Sequence, residues 1–110
     1  MNVKNLQDKV KLLDSDRKKK FRLYSEAEKE ILTKTIKLNE EVGELCNDVL
    51  SVLKLQRKAK LERFEKRNFY EEFADVIITT IQLANSAGVD IERAITDKLK
   101  KIEERQKKDR

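Results

Sequence analysis

Apolar side chains recur every three or four positions over much of this chain, which is the spacing of one face of an α-helix. The longest stripe follows Ser25 and Glu28, a pair that matches the capping box found at helix starts. Its apolar positions are Ile31, Thr35, Leu38, Val42, Leu45, Val49 and Leu53. The pattern predicts a long helix, buried along one side, that extends to about Lys58.

A second apolar segment lies between Asn68 and Gly88. Asn68 is a favourable N-cap with Glu71 at the capping-box position, and glycine is the preferred residue just after a helix end. Segment 58–67 is charged and weakly periodic, so we expect the connection between the two helices there. The apolar positions of this helix are Phe69, Phe73, Val76, Ile77, Thr80, Ile81, Leu83, Ala84 and Ala87. They cover most of its circumference, which predicts burial from several directions and therefore an oligomer.

Two flanking segments are also predicted to be helical. The first runs from about Asn5 into the basic stretch 17–20, with a weak point at 14–16. The last begins at the N-cap residue Asp90, and we expect the basic tail beyond Arg105 to be frayed.

The composition fits a small helical protein and excludes several kinds of active site. The chain has 110 residues, 43% of them charged, no proline and no histidine, and Cys46 is its single cysteine. Without histidine, Ser-His-Asp and Cys-His catalysis and histidine-ligated metals are excluded. We predict an all-α fold: an antiparallel helical bundle of about four helices in one domain, residues 1–110. Its core spans about 25–106 and is completed by oligomerisation.

The sequence contains no Gly-rich phosphate loop, so mechanisms built on a P-loop or a Rossmann motif are excluded. It contains no apolar run typical of a signal peptide or a membrane span. We therefore expect a cytoplasmic protein without a membrane partner.

Two similar acidic motifs are the main indication of function. Residues 40–45 read Glu-Glu-Val-Gly-Glu-Leu, and residues 71–76 read Glu-Glu-Phe-Ala-Asp-Val. Positions i and i+3 share a helix face, about 4.5 Å apart along the axis, so each motif places two carboxylates side by side. One such pair is usually just solvated, but two pairs that both border apolar stripes favour a hard divalent cation such as Mg²⁺, with Mn²⁺ as an alternative.

These motifs resemble those of the MazG-type all-α nucleoside triphosphate pyrophosphohydrolases, over roughly Leu32 to Arg105. The resemblance is carried by the stretches 38–45, 71–76 and 88–94, followed by a Lys-rich final helix from Lys98. One departure is Ile102, where relatives often have asparagine. This departure affects the expected phosphate contacts of the last helix and leaves the acidic motifs intact.

The resemblance implies hydrolysis of a nucleotide between its α- and β-phosphates, which gives a monophosphate and pyrophosphate. It also implies a homodimer or homotetramer. The implied Mg²⁺ ligands are Glu41, Glu44, Glu72 and Asp75.

Further site residues follow from the chemistry of a triphosphate. A carboxylate is needed to hold and activate water, and the candidates are Glu40, Glu41 and Asp48, with Thr79 facing Asp48 from the other helix. Basic residues must bind the phosphates, and the candidates are Lys54, Arg57, Lys98 and Arg105. Aromatic candidates for contact with the base are Phe21, Tyr24, Phe69 and Tyr70.

Two alternatives remain open at this point. The net charge of +5 is compatible with a nucleic-acid-binding or purely structural helical module. Acidic residues interrupt the basic ones, however, so nucleic acid is not the expected partner. The alternative enzyme is a phosphoribosyl-ATP pyrophosphohydrolase, which uses a similar acidic helical scaffold.

Overall fold

The computed structural model describes the backbone of residues 2–17, 23–63 and 66–109, and the side chains of residues 2–15, 23–61 and 69–109. The helices are α1 (Val3–Arg17), α2 (Glu26–Val52), α3 (Lys58–Arg63), α4 (Lys66–Ala87) and α5 (Ile91–Lys108). No strand occurs in the described part of the chain, so the predicted all-α class is confirmed. The described residues form five helices, one more than the four that were expected.

The predicted helix starts at Ser25 and Asp90 are confirmed. The Ser25 hydroxyl oxygen accepts a hydrogen bond from the Glu28 amide at 3.2 Å, and the Ser25 amide donates to the Glu28 carboxylate at 3.0 Å. The Asp90 carboxylate accepts from the Arg93 amide at 3.1 Å. Both caps satisfy amide groups that lack a partner inside the helix.

The C-terminus of α2 differs from the prediction, because the helix ends at Val52 and not near Lys58. Lys54 adopts a left-handed conformation with φ of 58°. The Leu55 amide then donates to the Leu50 carbonyl at 2.8 Å, and the Lys54 amide donates to the Ser51 carbonyl at 3.0 Å. This is a Schellman motif, which turns the chain out of the helix although a lysine occupies the position that glycine prefers.

The end of α4 uses the same motif with the expected residue. Gly88 has φ of 72°, and the Val89 amide donates to the Ala84 carbonyl at 2.8 Å. The predicted stop at Gly88 is therefore confirmed.

Four other local predictions are wrong. Helix α4 begins at Lys66, so Asn68 lies inside the helix and is not its cap. The segment 58–67, expected to be a connection, contains α3. Helix α1 continues through 14–16, where a weak point was expected, and α5 continues past Arg105 to Lys108, where fraying was expected. Polar and charged residues are compatible with an exposed helix, so they did not interrupt either one.

Helices α2 and α4 are the pair that packs extensively within the described chain. The centre of this pair is largely polar: Ala84 is the one buried apolar residue among those described, whereas Glu41, Ser51 and Thr79 are also buried. Many large apolar side chains, such as Ile77 and Leu99, are exposed. The radius of gyration is 20.7 Å, compared with about 13 Å for a compact chain of this length. A single copy therefore leaves most of its apolar faces uncovered.

Within the described residues, no helix combines the length and the apolar character that crossing a bilayer requires.

Candidate metal centre

Three carboxylates converge where α2 packs against α4. Glu41 lies on α2, and Glu72 and Asp75 lie three residues apart on α4; one oxygen from each lies within 4.8 Å of the others. Glu41 is 8% exposed, Glu72 is half-buried and Asp75 is exposed, so the cluster opens to solvent on one side. Three negative charges at this separation repel one another unless a proton or a cation is present.

The buried oxygens of this region lack hydrogen-bond donors. Glu41 Oε2, Glu72 Oε2 and Asp48 Oδ2 have almost no accessible surface and no hydrogen-bond partner within the described part of the protein. Leaving a charged oxygen buried without a partner costs free energy. Carboxylate oxygens are the ligands that Mg²⁺, Mn²⁺ and Ca²⁺ prefer, so the donor set fits a hard divalent cation.

Glu72 lies at the electrostatic centre of the site. Burial, followed by the negative charges of Glu44, Asp75, Glu41 and Asp48, raises the pKa of Glu72 to about 7. Burial also raises the pKa of Asp48. Four neighbouring carboxylates thus favour the protonated form of Glu72, and a bound cation would favour its deprotonated form.

The remaining predicted carboxylates differ in position. Glu44 lies near enough to raise the pKa of Glu72, but its side chain is exposed and does not belong to the tight group of three. Asp48 is half-buried beside the cluster. Glu40 is exposed, and its carboxylate lies 3.5 Å from the Lys37 ammonium. The Thr79 hydroxyl is buried and donates to the Asp75 carbonyl at 2.6 Å, which supports the helix turn that carries Asp75.

Lys37 is a residue of the site that the sequence analysis missed. Its ammonium lies 3.2 Å from Glu41 Oε1 as well as near Glu40. The pKa of Lys37 is raised, chiefly by the hydrogen bond to Glu41 and then by the charge of Glu40. The signal was available, since a lysine four residues before a glutamate on one helix is placed to pair with it.

The four predicted phosphate-binding residues are all exposed, and none forms an ion pair with the three carboxylates among the described residues. Lys54 belongs to the turn that ends α2, and Arg57 precedes α3. Lys98 and Arg105 lie on α5, which does not pack extensively on α2 or α4 in the described chain. Their predicted contact with phosphate therefore stays a prediction.

The aromatic candidates for contact with the base differ in exposure. Phe21 lies outside the described residues. Tyr24 and Tyr70 are exposed, whereas Phe69 is half-buried and contacts the Phe73 ring edge to face, with centroids 5.2 Å apart. Among the described residues, the ring contact given for these candidates is the one between Phe69 and Phe73, so their role in binding a base stays a prediction.

Comparison with known proteins identifies one relationship. A family model described as the MazG nucleotide pyrophosphohydrolase domain matches residues 27–109, which include every carboxylate of the cluster. The match begins inside α2, so α1 precedes it. No curated protein and no solved structure matches the chain.

Proposed function

The chain belongs to the MazG nucleotide pyrophosphohydrolase family, and we propose that it hydrolyses a ribo- or deoxyribonucleoside triphosphate between the α- and β-phosphates. The products are a nucleoside monophosphate and pyrophosphate. The proposal rests on the group formed by Glu41, Glu72 and Asp75, which lies inside the segment that matches the family. One buried oxygen of Glu41 and one of Glu72 have no hydrogen-bond partner among the described residues.

The proposed cation is Mg²⁺, with Mn²⁺ as a substitute. The residues that would hold it are Glu41, Glu72 and Asp75. Glu44, whose exposed side chain lies near Glu72, would be the fourth ligand. When bound, such a cation polarises phosphoryl oxygens as a Lewis acid. The carboxylates of the chain would bind this cation and fix its position. Glu72 would have to be deprotonated to act as a ligand.

Asp48 is the proposed proton acceptor for the attacking water. Its Oδ2 atom is buried without a partner, and burial raises its pKa, so it can accept a hydrogen bond from water and then a proton. Glu40 is the less favoured candidate, because its side chain is exposed and pairs with Lys37. Thr79 supports Asp75 through the hydrogen bond to its carbonyl.

The pyrophosphate group is proposed to leave toward basic side chains. The candidates remain Lys54, Arg57, Lys98 and Arg105. All four side chains are exposed to solvent. We further propose a homodimer or homotetramer, because the exposed apolar side chains of α4 and α5 need a partner surface. Assembly is also a way for basic residues of one copy to reach the carboxylates of another.

The test is a panel of ribo- and deoxyribonucleoside triphosphates, together with phosphoribosyl-ATP, assayed for pyrophosphate release with and without Mg²⁺. We expect release only with the metal, and a loss of orders of magnitude in Glu72→Gln. Glu103→Gln is the matched control, since Glu103 is an exposed carboxylate on α5 outside the cluster.

Two outcomes would contradict the proposal. Diphosphate and orthophosphate as the only products would mean that the wrong bond was assigned. Hydrolysis of no nucleotide with any divalent metal, combined with salt-sensitive retention of RNA or DNA in the absence of metal, would favour the binding-module alternative.

A further inference from the structure

Helix α1 carries an uncovered apolar stripe and precedes the segment that matches the family. Its members are Val3, Leu6, Val10 and Leu13, whose successive spacings of three, four and three residues place them on one side of the helix. These side chains are between 45% and 72% exposed. In the described chain α1 packs extensively on no other helix, so this apolar surface has no partner.

The residue types along the stripe are those of a particular kind of helix pair. In a heptad assignment, β-branched Val3 and Val10 occupy the a positions, and Leu6 and Leu13 occupy the d positions. β-Branched residues at a combined with leucine at d favour two parallel strands over trimers and tetramers. The stripe therefore fits a second copy of the same helix.

Charges beside the stripe favour the same arrangement. Lys9 occupies a g position and Asp14 the following e position, and the two face away from each other on one helix, about 140° apart. In a parallel, in-register pair each g position meets the following e position of the other strand. Lys9 of one copy then faces Asp14 of the partner subunit, twice per pair. An antiparallel pair would instead place g beside g and e beside e, and this match would be lost.

We propose that α1 is a dimerisation helix that pairs in parallel and in register with α1 of a second copy of this chain. Two heptads are too short to form a stable pair alone. The pairing therefore rests on the proposed dimer or tetramer, whose other contacts would raise the effective concentration of one α1 for the other. Leu12 lies on the opposite side of α1 and takes no part in the pair.

Cysteine cross-linking of the full chain tests the proposal. The exposed native Cys46 is first replaced by serine, and single cysteines are introduced as Leu6→Cys and Leu13→Cys, with Leu12→Cys as the matched control on the other side. Under mild oxidation we expect both seam variants to form at least five-fold more disulfide-linked dimer than the control. Equal cross-linking at all three positions, or none at the seam, would overturn the pairing.

Two further arms test direction and register. When a larger, tagged Leu6→Cys chain is mixed with an untagged Val10→Cys chain, the parallel pair predicts few mixed dimers, because a and d positions lie in different layers of a parallel pair. Predominantly mixed dimers would establish an antiparallel pair, in which a positions meet d positions, and would overturn the proposal. In the Leu13→Cys background, Lys9→Asp should reduce cross-linking several-fold, and adding Asp14→Lys should restore it. Failure of the double exchange to restore cross-linking would overturn the in-register arrangement.

Discussion

The ammonium of Lys37 lies 3.2 Å from Glu41 Oε1, one helical turn away on α2. Glu41 is also the buried carboxylate of the cluster with Glu72 and Asp75. A positive side chain of the protein therefore already contacts one of the proposed metal ligands. Lys37 partly compensates the repulsion among the carboxylates, and its positive charge opposes the binding of a cation to the same carboxylate.

Replacing Lys37 tests this effect. We expect Lys37→Met to bind Mg²⁺ or Mn²⁺ several-fold more tightly, because a positive charge beside the Glu41 carboxylate is removed. The metal-free variant should melt at a lower temperature, and isothermal titration and thermal melting measure the two effects. Lys34→Met is the matched control, since Lys34 pairs at 3.2 Å with Glu30, outside the cluster. An equal change of affinity in both variants would contradict the specific role of Lys37.

Metal binding should stabilise the fold. A ligand that binds only the folded state at one hundred times its Kd adds about 2.7 kcal/mol to the free energy of unfolding. We therefore expect saturating Mg²⁺ or Mn²⁺ to raise the Tm by several degrees, and Glu41→Gln or Asp75→Asn to abolish the rise. Glu103→Gln should behave like the native protein. A native melting curve that saturating metal leaves unchanged would argue strongly against the site.

The pKa of Glu72 predicts how stability depends on pH without metal. It is raised from 4.5 to about 7, so between these values the folded state binds more protons than the unfolded state. The free energy of unfolding should therefore fall as pH rises from about 4.5 to about 7, and this contribution should level off above that range. Urea denaturation in EDTA measures the trend, and Glu72→Gln should flatten it. A contribution from Glu72 that rises with pH would show that its pKa is not raised.

The two Schellman motifs predict opposite effects of substitution. Lys54 and Gly88 both have positive φ, which costs a non-glycine residue roughly 1 kcal/mol. Lys54→Gly should thus increase the free energy of unfolding by about 1 kcal/mol, and Gly88→Ala should decrease it by a similar amount. A Cβ at Gly88 would meet no atom within 4 Å, so this cost is conformational and not steric. Urea denaturation of both variants provides the check, and a destabilised Lys54→Gly would contradict it.

Local signals were sufficient for part of the fold. The helix caps at Ser25 and Asp90 are made by hydrogen bonds to residues three positions away, so they could be predicted from sequence. Gly88 could be predicted as a helix end because glycine readily adopts the positive φ found there. The left-handed Lys54 could not, because nothing in the sequence distinguishes it from a lysine inside a helix. For the same reason the predicted end of α2 was displaced toward Lys58.

The site was predictable to a similar extent. The repeated motif indicated that Glu41, Glu44, Glu72 and Asp75 would meet, because the i, i+3 spacing determines which carboxylates of one helix share a face. Three of them, Glu41, Glu72 and Asp75, do lie together. Which atoms are buried depends on how closely α2 and α4 approach, and this is a property of packing. The exposed position of Glu44 and the buried Oδ2 of Asp48 therefore emerged only from the structure.

Hydrolysis in ¹⁸O-labelled water tests the central claim most directly. If water attacks the α-phosphorus of a nucleoside triphosphate, mass spectrometry should find the label in the nucleoside monophosphate and none in the pyrophosphate. Label in the pyrophosphate would mean attack on the β-phosphorus, and label in orthophosphate would mean removal of the γ-phosphate. Either of these two results would contradict the account.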